Sequence, residues 1–196
     1  MRLNDLIACG NENGDAKITE DTVSLRANSK TDWFFSPVGT TRMENVIAAS
    51  TKVADPIFSL SARVSVDFSS PYDAGALFIR TGVDTWAKLA FEYSANCRPT
   101  IVSVVTRTTS DDSDGPIHNG DHVWLRVYCD GQALAFHFSE DGKYWRFLRW
   151  FAIPDLGSRP VEVGFGVQSP TGDGSMARFS DIRYSTAPLE NLRNGT

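Results

Sequence analysis

Apolar and polar residues alternate without interruption from Phe58 to Phe68. Every even-numbered position in this segment is apolar, and every odd-numbered position is serine, arginine or aspartate. Successive side chains of a β-strand point to opposite faces of a sheet, so the pattern predicts one long strand with a dry face and a wet face. Helix-period patterns are almost absent from the rest of the chain. The sequence therefore predicts an all-β protein.

Shorter segments of the same kind predict the other strands. Asp130-Gly131 and Asp141-Gly142 separate pairs of these segments and predict tight hairpin turns, because glycine accepts the positive φ that such turns need. The Asp-rich segment Ser110–Asp114 is predicted to be a loop, since Asp side chains accept local backbone hydrogen bonds. The remaining predicted strands are Thr22–Ala27, Val46–Lys52, Ala76–Arg80, Trp86–Tyr93, Ile101–Arg107, Val123–Cys129, Ala133–Phe138, Phe147–Phe151, Val161–Gln168 and Ala177–Tyr184.

The number of strands decides the architecture. Roughly 11 to 13 short strands in a chain of this size predict two antiparallel sheets packed face to face, a β-sandwich or jelly roll. We expect a single sandwich domain over residues 1–185 and a polar C-terminal tail over residues 186–196.

Charge and cysteine content exclude several partners and cofactors. The net charge is −5 and no basic cluster stands out, so a nucleic-acid partner is not expected. No stretch approaches the roughly 20 apolar residues of a membrane span, so no membrane partner is expected either. The three cysteines, Cys9, Cys97 and Cys129, are odd in number and far apart. They predict reduced thiols and a cytoplasmic location, and no cofactor is expected.

Several sequence blocks occur in an order that resembles a known family. They read AGALFIR from residue 74, DTWAKLAFEY from 84, VSVVTRTTSDDSD from 102, FSEDGKYW from 138, and VGFGVQSPTGDG from 163 followed by ARFSDIRY. Together they resemble a family of concanavalin A-like jelly rolls of unknown function, some of whose members carry the name regulation of enolase protein 1. The resemblance implies a concanavalin A-like lectin/glucanase sandwich.

The resemblance does not choose a function, because this superfamily contains lectins, glycan-binding modules, glycosidases and interaction domains. One block also departs from the family pattern. This chain has Ser-Asp-Asp-Ser at residues 110–113, where the family has Ser-Asp-Trp-Ser. If that aromatic residue stacks on the ligand in the family, the ligand of this protein differs from that of its relatives.

One face of the predicted strand Trp86–Tyr93 offers the best candidate site. Alternation places the odd-numbered residues in the core and leaves Trp86, Lys88 and Glu92 on the opposite face. An aromatic plane beside acidic and hydroxyl groups suits a sugar or polyol, because the plane covers C–H groups while the acceptors take hydroxyl protons. We expect three further residues to complete the groove on the concave sheet: Thr106, Asp111 and Gln168. An ordinary exposed strand face is the alternative.

Two further aromatic and cationic groups are candidate ligand-binding residues. Arg126 lies on a predicted strand with Trp124, and Trp145 is followed by Arg149. Arginine can stack on an aromatic ring or bind a carboxylate with two parallel hydrogen bonds. The same lattice also forms on solvated sheet faces that bind nothing.

Three functions remain open at this point. The first is a non-catalytic module that binds a small polar ligand or glycan. The second is an enzyme acting on a glycoside or small metabolite, with Glu92 as general acid or base and Lys88, Asp111 or Arg149 assisting. The third, which the resemblance implies, is a regulator that binds a metabolic enzyme as its protein partner.

Metal binding has weak candidates only. His118 and His122 are four residues apart in a Gly- and Asp-rich loop. Many concanavalin A-like sandwiches carry a structural calcium ion, and Asp181 is the candidate ligand for one here. Chance histidines and an ordinary strand-end aspartate are the alternatives.

Overall fold

Sixteen β-strands make up almost all of the secondary structure of the described residues. The computed structural model describes residues 2–158 and 160–196. Two short 3-10 turns lie at Leu3–Asp5 and Asn11–Asn13. The strands are β1 (Ile7–Cys9), β2 (Gly14–Ile18), β3 (Val23–Asn28), β4 (Trp33–Phe35), β5 (Arg42–Glu44), β6 (Ile47–Val53), β7 (Phe58–Val66), β8 (Ala74–Gly82), β9 (Thr85–Tyr93), β10 (Pro99–Arg107), β11 (Thr109–Ile117), β12 (Val123–Cys129), β13 (Leu134–Ser139), β14 (Arg146–Phe151), β15 (Val161–Gln168) and β16 (Gly174–Ser185).

The strands form two antiparallel seven-stranded sheets that pack as a sandwich. The front sheet has the order β1-β6-β15-β8-β9-β10-β11, and the back sheet has the order β14-β13-β12-β7-β16-β3-β2. The predicted all-β jelly-roll class is thus confirmed. No helix among the described residues is long and apolar enough to cross a membrane.

The core lies between the two sheets, where the alternation predicts it. Leu60, Ala62 and Val64 of β7 are fully buried and face Leu89 and Phe91 from β9. The predicted turns are also confirmed, since Gly131 and Gly142 have φ values of 96° and 71° in the two hairpins of β12, β13 and β14.

A second apolar layer covers part of the front sheet on its outer face. The small hairpin of β4 and β5 lies there and presents Trp33 and Phe35 to the sheet. The ring of Trp33 lies 4.8 Å from those of Phe78 and Trp86, measured between centroids. The outer face is therefore partly covered by aromatic packing.

The Asp-rich segment departs from the sequence prediction. It is not a loop but the edge strand β11, which pairs with β10 along its length after a turn at Thr108 with φ 75°. An edge strand exposes much of its surface, so it carries no apolar alternation that a sequence reading could detect. Charged residues also keep such an edge from pairing with other chains.

Candidate functional site

The register of five neighbouring strands brings polar groups together on the outer face of the front sheet. Lys88 of β9 pairs with Val104 of β10, which in turn pairs with Asp112 of β11. On the other side, Ala74 of β8 lies between Glu92 and Gln168. These side chains line the front cavity, which has a volume of about 380 Å³. Its lining residues are Asp32, Phe34, Tyr72, Lys88, Glu92, Val104, Asp112, Gln168, Pro170 and Thr171.

Lys88 is the buried cation of the front cavity. Only 3% of the Lys88 residue surface is exposed to solvent. The Nζ group donates hydrogen bonds to the Trp33 carbonyl at 2.8 Å and to Gln168 Oε1 at 2.7 Å. An ammonium group has three protons, so one remains for a group inside the cavity.

Glu92 is the buried acid of the front cavity. It is 7% exposed, and no described residue donates a hydrogen bond to its carboxyl group. Burial raises the pKa of Glu92 from 4.5 to about 8, because the ionised form loses its hydration, and the nearby Lys88 ammonium only partly opposes this rise. Three aspartates add smaller upward effects: Asp112, Asp114 and Asp32. At neutral pH the Glu92 carboxyl is therefore mostly protonated, and it can both donate and accept a hydrogen bond.

Asp112 is one of the front-cavity residues that sequence analysis misses, together with Asp32, Phe34, Tyr72, Pro170 and Thr171. Asp112 is exposed at the rim of the cavity, and partial desolvation there raises its pKa above the ordinary value, while Lys88 opposes the rise. Whether a residue of β11 has an odd or an even number determines which face of the sheet its side chain occupies, and this alternation could have identified Asp112. Thr106 pairs with Ser110 across the β10–β11 turn, so even-numbered residues of β11 share the outer face with Val104. When residues 110–114 are predicted to be a loop, this alternation is not applied to them.

Gln168 and Tyr72 shape one end of the front cavity. Gln168 accepts from Lys88, and its Nε2 donates to the Tyr72 carbonyl at 3.2 Å. The Tyr72 backbone also donates to the Tyr93 carbonyl at 2.6 Å. Tyr72 has a φ of 71°, which is an unfavourable backbone conformation for an aromatic residue. The hydrogen bonds of its N–H and carbonyl groups help to hold this conformation. These bonds also hold the Tyr72 backbone at the rim of the cavity.

Trp86 and Thr106 lie on the predicted face but are not accessible there. Trp86 is fully buried beneath the rings of Trp33 and Phe35, so the expectation that it forms an open aromatic floor is wrong. Thr106 is also buried, and its hydroxyl bonds to Ser110 Oγ at 2.8 Å. The Ser110 hydroxyl accepts from the Phe35 backbone, which ties the hairpin to the sheet.

Asp111 does not join the groove. As an odd-numbered residue of β11 it points away from the front cavity, and its carboxylate accepts from Arg149 Nη2 of β14 at 2.8 Å. Both expectations, of Asp111 beside Glu92 and of Arg149 in the same groove, are therefore wrong. The two residues form a partly exposed ion pair that joins the edges of the two sheets.

Arg126 and Trp145 lie together on the back sheet, not in the front cavity. The Arg126 guanidinium lies over the Trp145 ring at 4.2 Å from its centroid. The C-terminal tail passes beside them, and Arg126 Nη2 donates to the Gly195 carbonyl at 2.8 Å. The sequence analysis instead pairs Arg126 with Trp124 and Trp145 with Arg149, so the stacking of Arg126 on Trp145 is not predicted.

The candidate metal ligands have other partners. The Asp181 carboxylate accepts from Trp124 Nε1 and from Arg183, two donors that leave little room for a calcium ion. His118 Nε2 contacts the His122 carbonyl instead of sharing a site with that imidazole. Within residues 2–158 and 160–196, no three His, Cys, Asp or Glu side chains come together in a way that could hold a metal ion.

Comparison with known proteins gives a family and a fold. A family described as "Protein of unknown function (DUF1349)" matches residues 10–187. The chain belongs to this family. No curated protein matches this DUF1349 chain. The resemblance to a jelly-roll family of unknown function is thus confirmed, whereas the link to enolase regulation stays a prediction.

Solved structures share the sandwich of the DUF1349 chain. A functionally unknown protein from Saccharomyces cerevisiae is 24% identical, with a TM-score of 0.85 over 96% of this chain and 100% of that one. A xylan β-1,4-xylosidase from Bacillus halodurans is 12% identical, with a TM-score of 0.66 over 87% of this chain and 38% of the enzyme. An alginate lyase from Klebsiella pneumoniae is 9% identical, with a TM-score of 0.53 over 85% of this chain and 81% of the lyase. At these identities the likeness concerns the fold.

Proposed function

We propose that this protein is a binding module that holds a small polyhydroxylated, sugar-like molecule in the front cavity. The observation that carries the proposal is the Glu92 carboxyl group, which lines this cavity on a residue only 7% exposed and has no hydrogen-bond partner among the described residues. Its oxygens keep some exposure to the cavity, so a bound molecule can reach them. A ligand hydroxyl would supply the missing partner.

The other lining groups match the chemistry of a polyol. Protonated Glu92 can donate to one ligand oxygen and accept from another, while Asp112 is an acceptor for a further hydroxyl proton. The rings of Phe34 and Tyr72 line the same cavity and can cover C–H groups. This combination of acceptors and aromatic surfaces is typical of carbohydrate sites.

Cavity size favours a small ligand over a polymer. The volume of about 380 Å³ lies near the lower end of the roughly 300–1,000 Å³ that ligand pockets usually have. The names of two structural neighbours, a xylan β-1,4-xylosidase and an alginate lyase, support a carbohydrate-like ligand class.

A second candidate function is catalysis by Glu92 as general acid or base. The observation that favours it is the pKa of Glu92, which at about 8 is close to neutral pH, where proton transfer is efficient. Acid and base pairs usually have pKa values that their surroundings push apart, however, and here the pKa of Asp112 is raised together with that of Glu92. Binding without turnover is therefore the proposal that we favour.

The test compares two adjacent carboxylates on opposite faces of β11. Asp112→Asn alters the front cavity, and Asp111→Asn is a matched control that alters only the ion pair with Arg149. A panel of monosaccharides, disaccharides, sugar acids and amino sugars is screened by thermal shift, and the affinity of each hit is measured by calorimetry. We expect Asp112→Asn and Glu92→Leu to weaken binding by roughly 5- to 150-fold, the factor for one lost buried hydrogen bond.

Three outcomes would contradict the proposal or choose between its forms. Equal affinities in the Asp112→Asn, Glu92→Leu and Asp111→Asn variants would place the ligand outside the front cavity. A panel without a single hit would rule out this ligand class. A hit that is converted to product by the wild type and not by Glu92→Gln would favour catalysis.

A further inference from the structure

The outer face of the back sheet carries a second, smaller cavity. This back cavity has a volume of about 250 Å³ and lies beside the C-terminal tail. Arg183 of β16 and Arg126 of β12 both pair with Ser61 of β7, so the three side chains form one row across adjacent strands. At a strand spacing of about 4.8 Å, the backbones of the two arginines lie about 10 Å apart with the serine between them.

Arg126 is a buried cation without an anionic partner. It is 7% exposed, and no described carboxylate forms an ion pair with it. Its Nη2 donates to the Gly195 carbonyl, its plane lies over the Trp145 ring, and its Nε is buried with no acceptor among the described residues. Burial lowers the pKa of Arg126 to about 10, and the guanidinium stays charged at neutral pH. A buried charge that lacks an opposite charge is costly unless something supplies one.

The acid in this cavity is already neutralised. Asp181 accepts from Nε and Nη2 of Arg183 at 3.0 and 2.9 Å and from Trp124 Nε1 at 2.9 Å. A β-bulge between Ser180 and Arg183, with Asp181 at φ 47°, places this pair at the cavity. The charge of Arg126 is therefore the unbalanced one.

The middle of the row offers a free hydroxyl. Ser61 is almost fully buried, and its Oγ makes no hydrogen bond within the part of the chain that the structure describes. It lies between Arg126 and Arg183, both of which line the same cavity. A serine hydroxyl beside a guanidinium provides donors of the kind that bind oxyanions.

We infer that the back cavity is a binding site for a small-molecule oxyanion, a carboxylate or a phosphate group. Arg126 supplies the charge and at least one N–H donor, and Ser61 supplies an O–H donor from the neighbouring strand. Trp124 and Leu189 line the cavity as apolar walls for the body of the ligand. This site lies on the opposite sheet from the front cavity, and its existence does not depend on the function proposed for that cavity.

Sodium phosphate and sodium malonate are the two probes, titrated at an ionic strength held constant with sodium chloride. Because Trp124 and Trp145 line the back cavity, binding is followed by tryptophan fluorescence and confirmed by calorimetry. We expect a saturable response to at least one probe, and the difference between the two tells whether phosphate or carboxylate is preferred. A response equal to that of sodium chloride alone would overturn the inference.

Three variants locate the anion. Arg126→Gln removes the unpaired charge and should weaken binding by roughly 10- to 150-fold, and Ser61→Ala should weaken it by about fivefold. Arg178→Gln is the matched control, because Arg178 lies on the same strand as Arg183 but forms a surface ion pair with Asp67.

A loss of affinity in Arg178→Gln equal to that in Arg126→Gln would show a non-specific charge effect and overturn the inference. If the Arg126→Gln variant did not fold, the Ser61→Ala variant would be the test, and an anion affinity equal to that of the wild type would overturn the inference. Asp112→Asn should leave anion binding unchanged, which separates this result from any failure of the proposal for the front cavity.

Discussion

Replacing Glu92 with glutamine should make the protein more stable at neutral and alkaline pH. Glutamine has the shape of the protonated acid but never ionises, so it avoids burying a charge. The pKa of Glu92 rises from 4.5 in an unfolded chain to about 8 in the fold, with burial as the main cause. Each tenfold change in proton affinity is worth about 1.4 kcal/mol, so the full effect on the free energy of unfolding is about 5 kcal/mol.

The sign follows from proton binding in the two states. Between pH 4.5 and about 8 the folded protein keeps a proton at Glu92 that the unfolded chain has released. The contribution of Glu92 to the free energy of unfolding therefore falls as pH rises through this window and is constant above it. We expect Glu92→Gln and wild type to be similar at pH 4, to differ by about 3 kcal/mol at pH 7, and to differ by about 5 kcal/mol above pH 8.

Urea denaturation at a series of pH values measures the difference directly. Glu140→Gln is the control, since the Glu140 carboxylate is 53% exposed and forms a surface ion pair with Arg146. It should follow the wild type at every pH. A difference between Glu92→Gln and wild type that stays constant from pH 4 to pH 9 would refute the account of Glu92 as a buried neutral acid.

Three other substitutions test the packing around the site. Trp33→Ala should cost about 3–5 kcal/mol of stability in urea denaturation and shift tryptophan fluorescence to the red, because it uncovers Trp86; an unshifted spectrum would contradict this. Ser110→Ala should cost about 1–3 kcal/mol, because the buried Phe35 N–H loses its acceptor, and a loss of less than half a kilocalorie would contradict the assigned role. Arg149→Met should cost less than about 1 kcal/mol in the same assay, since its ion pair with a largely exposed carboxylate is screened by water; a larger loss would show that the pair is essential to closing the sandwich edge.

The fold follows from the sequence because burial on one face leaves a visible pattern. The alternation in β7 and the odd-numbered apolar residues of β9 indicate which side chains enter the core. Once that face is fixed, Lys88 and Glu92 must lie together on the opposite face. This part of the candidate site could be predicted from local residues alone.

Residues that meet through distant packing could not be predicted in this way. The aromatic run that forms β4 has no periodicity that tells which sheet it covers, so the burial of Trp86 beneath Trp33 is hidden in the sequence. The edge strand β11 has no apolar face, so the sequence does not show its register and predicts Asp111 instead of Asp112 for the groove. A shift of one residue in the pairing of β10 with β11 would place the other aspartate at the cavity.

The most direct measurement is a pH titration of Glu92 followed by carbon NMR of its side-chain carboxyl. The account predicts a midpoint at about pH 8 for the wild type, because burial at the front cavity raises the pKa of Glu92 by more than the Lys88 ammonium lowers it. A midpoint near 4.5 would show a solvated or ion-paired carboxylate and would contradict the central claim.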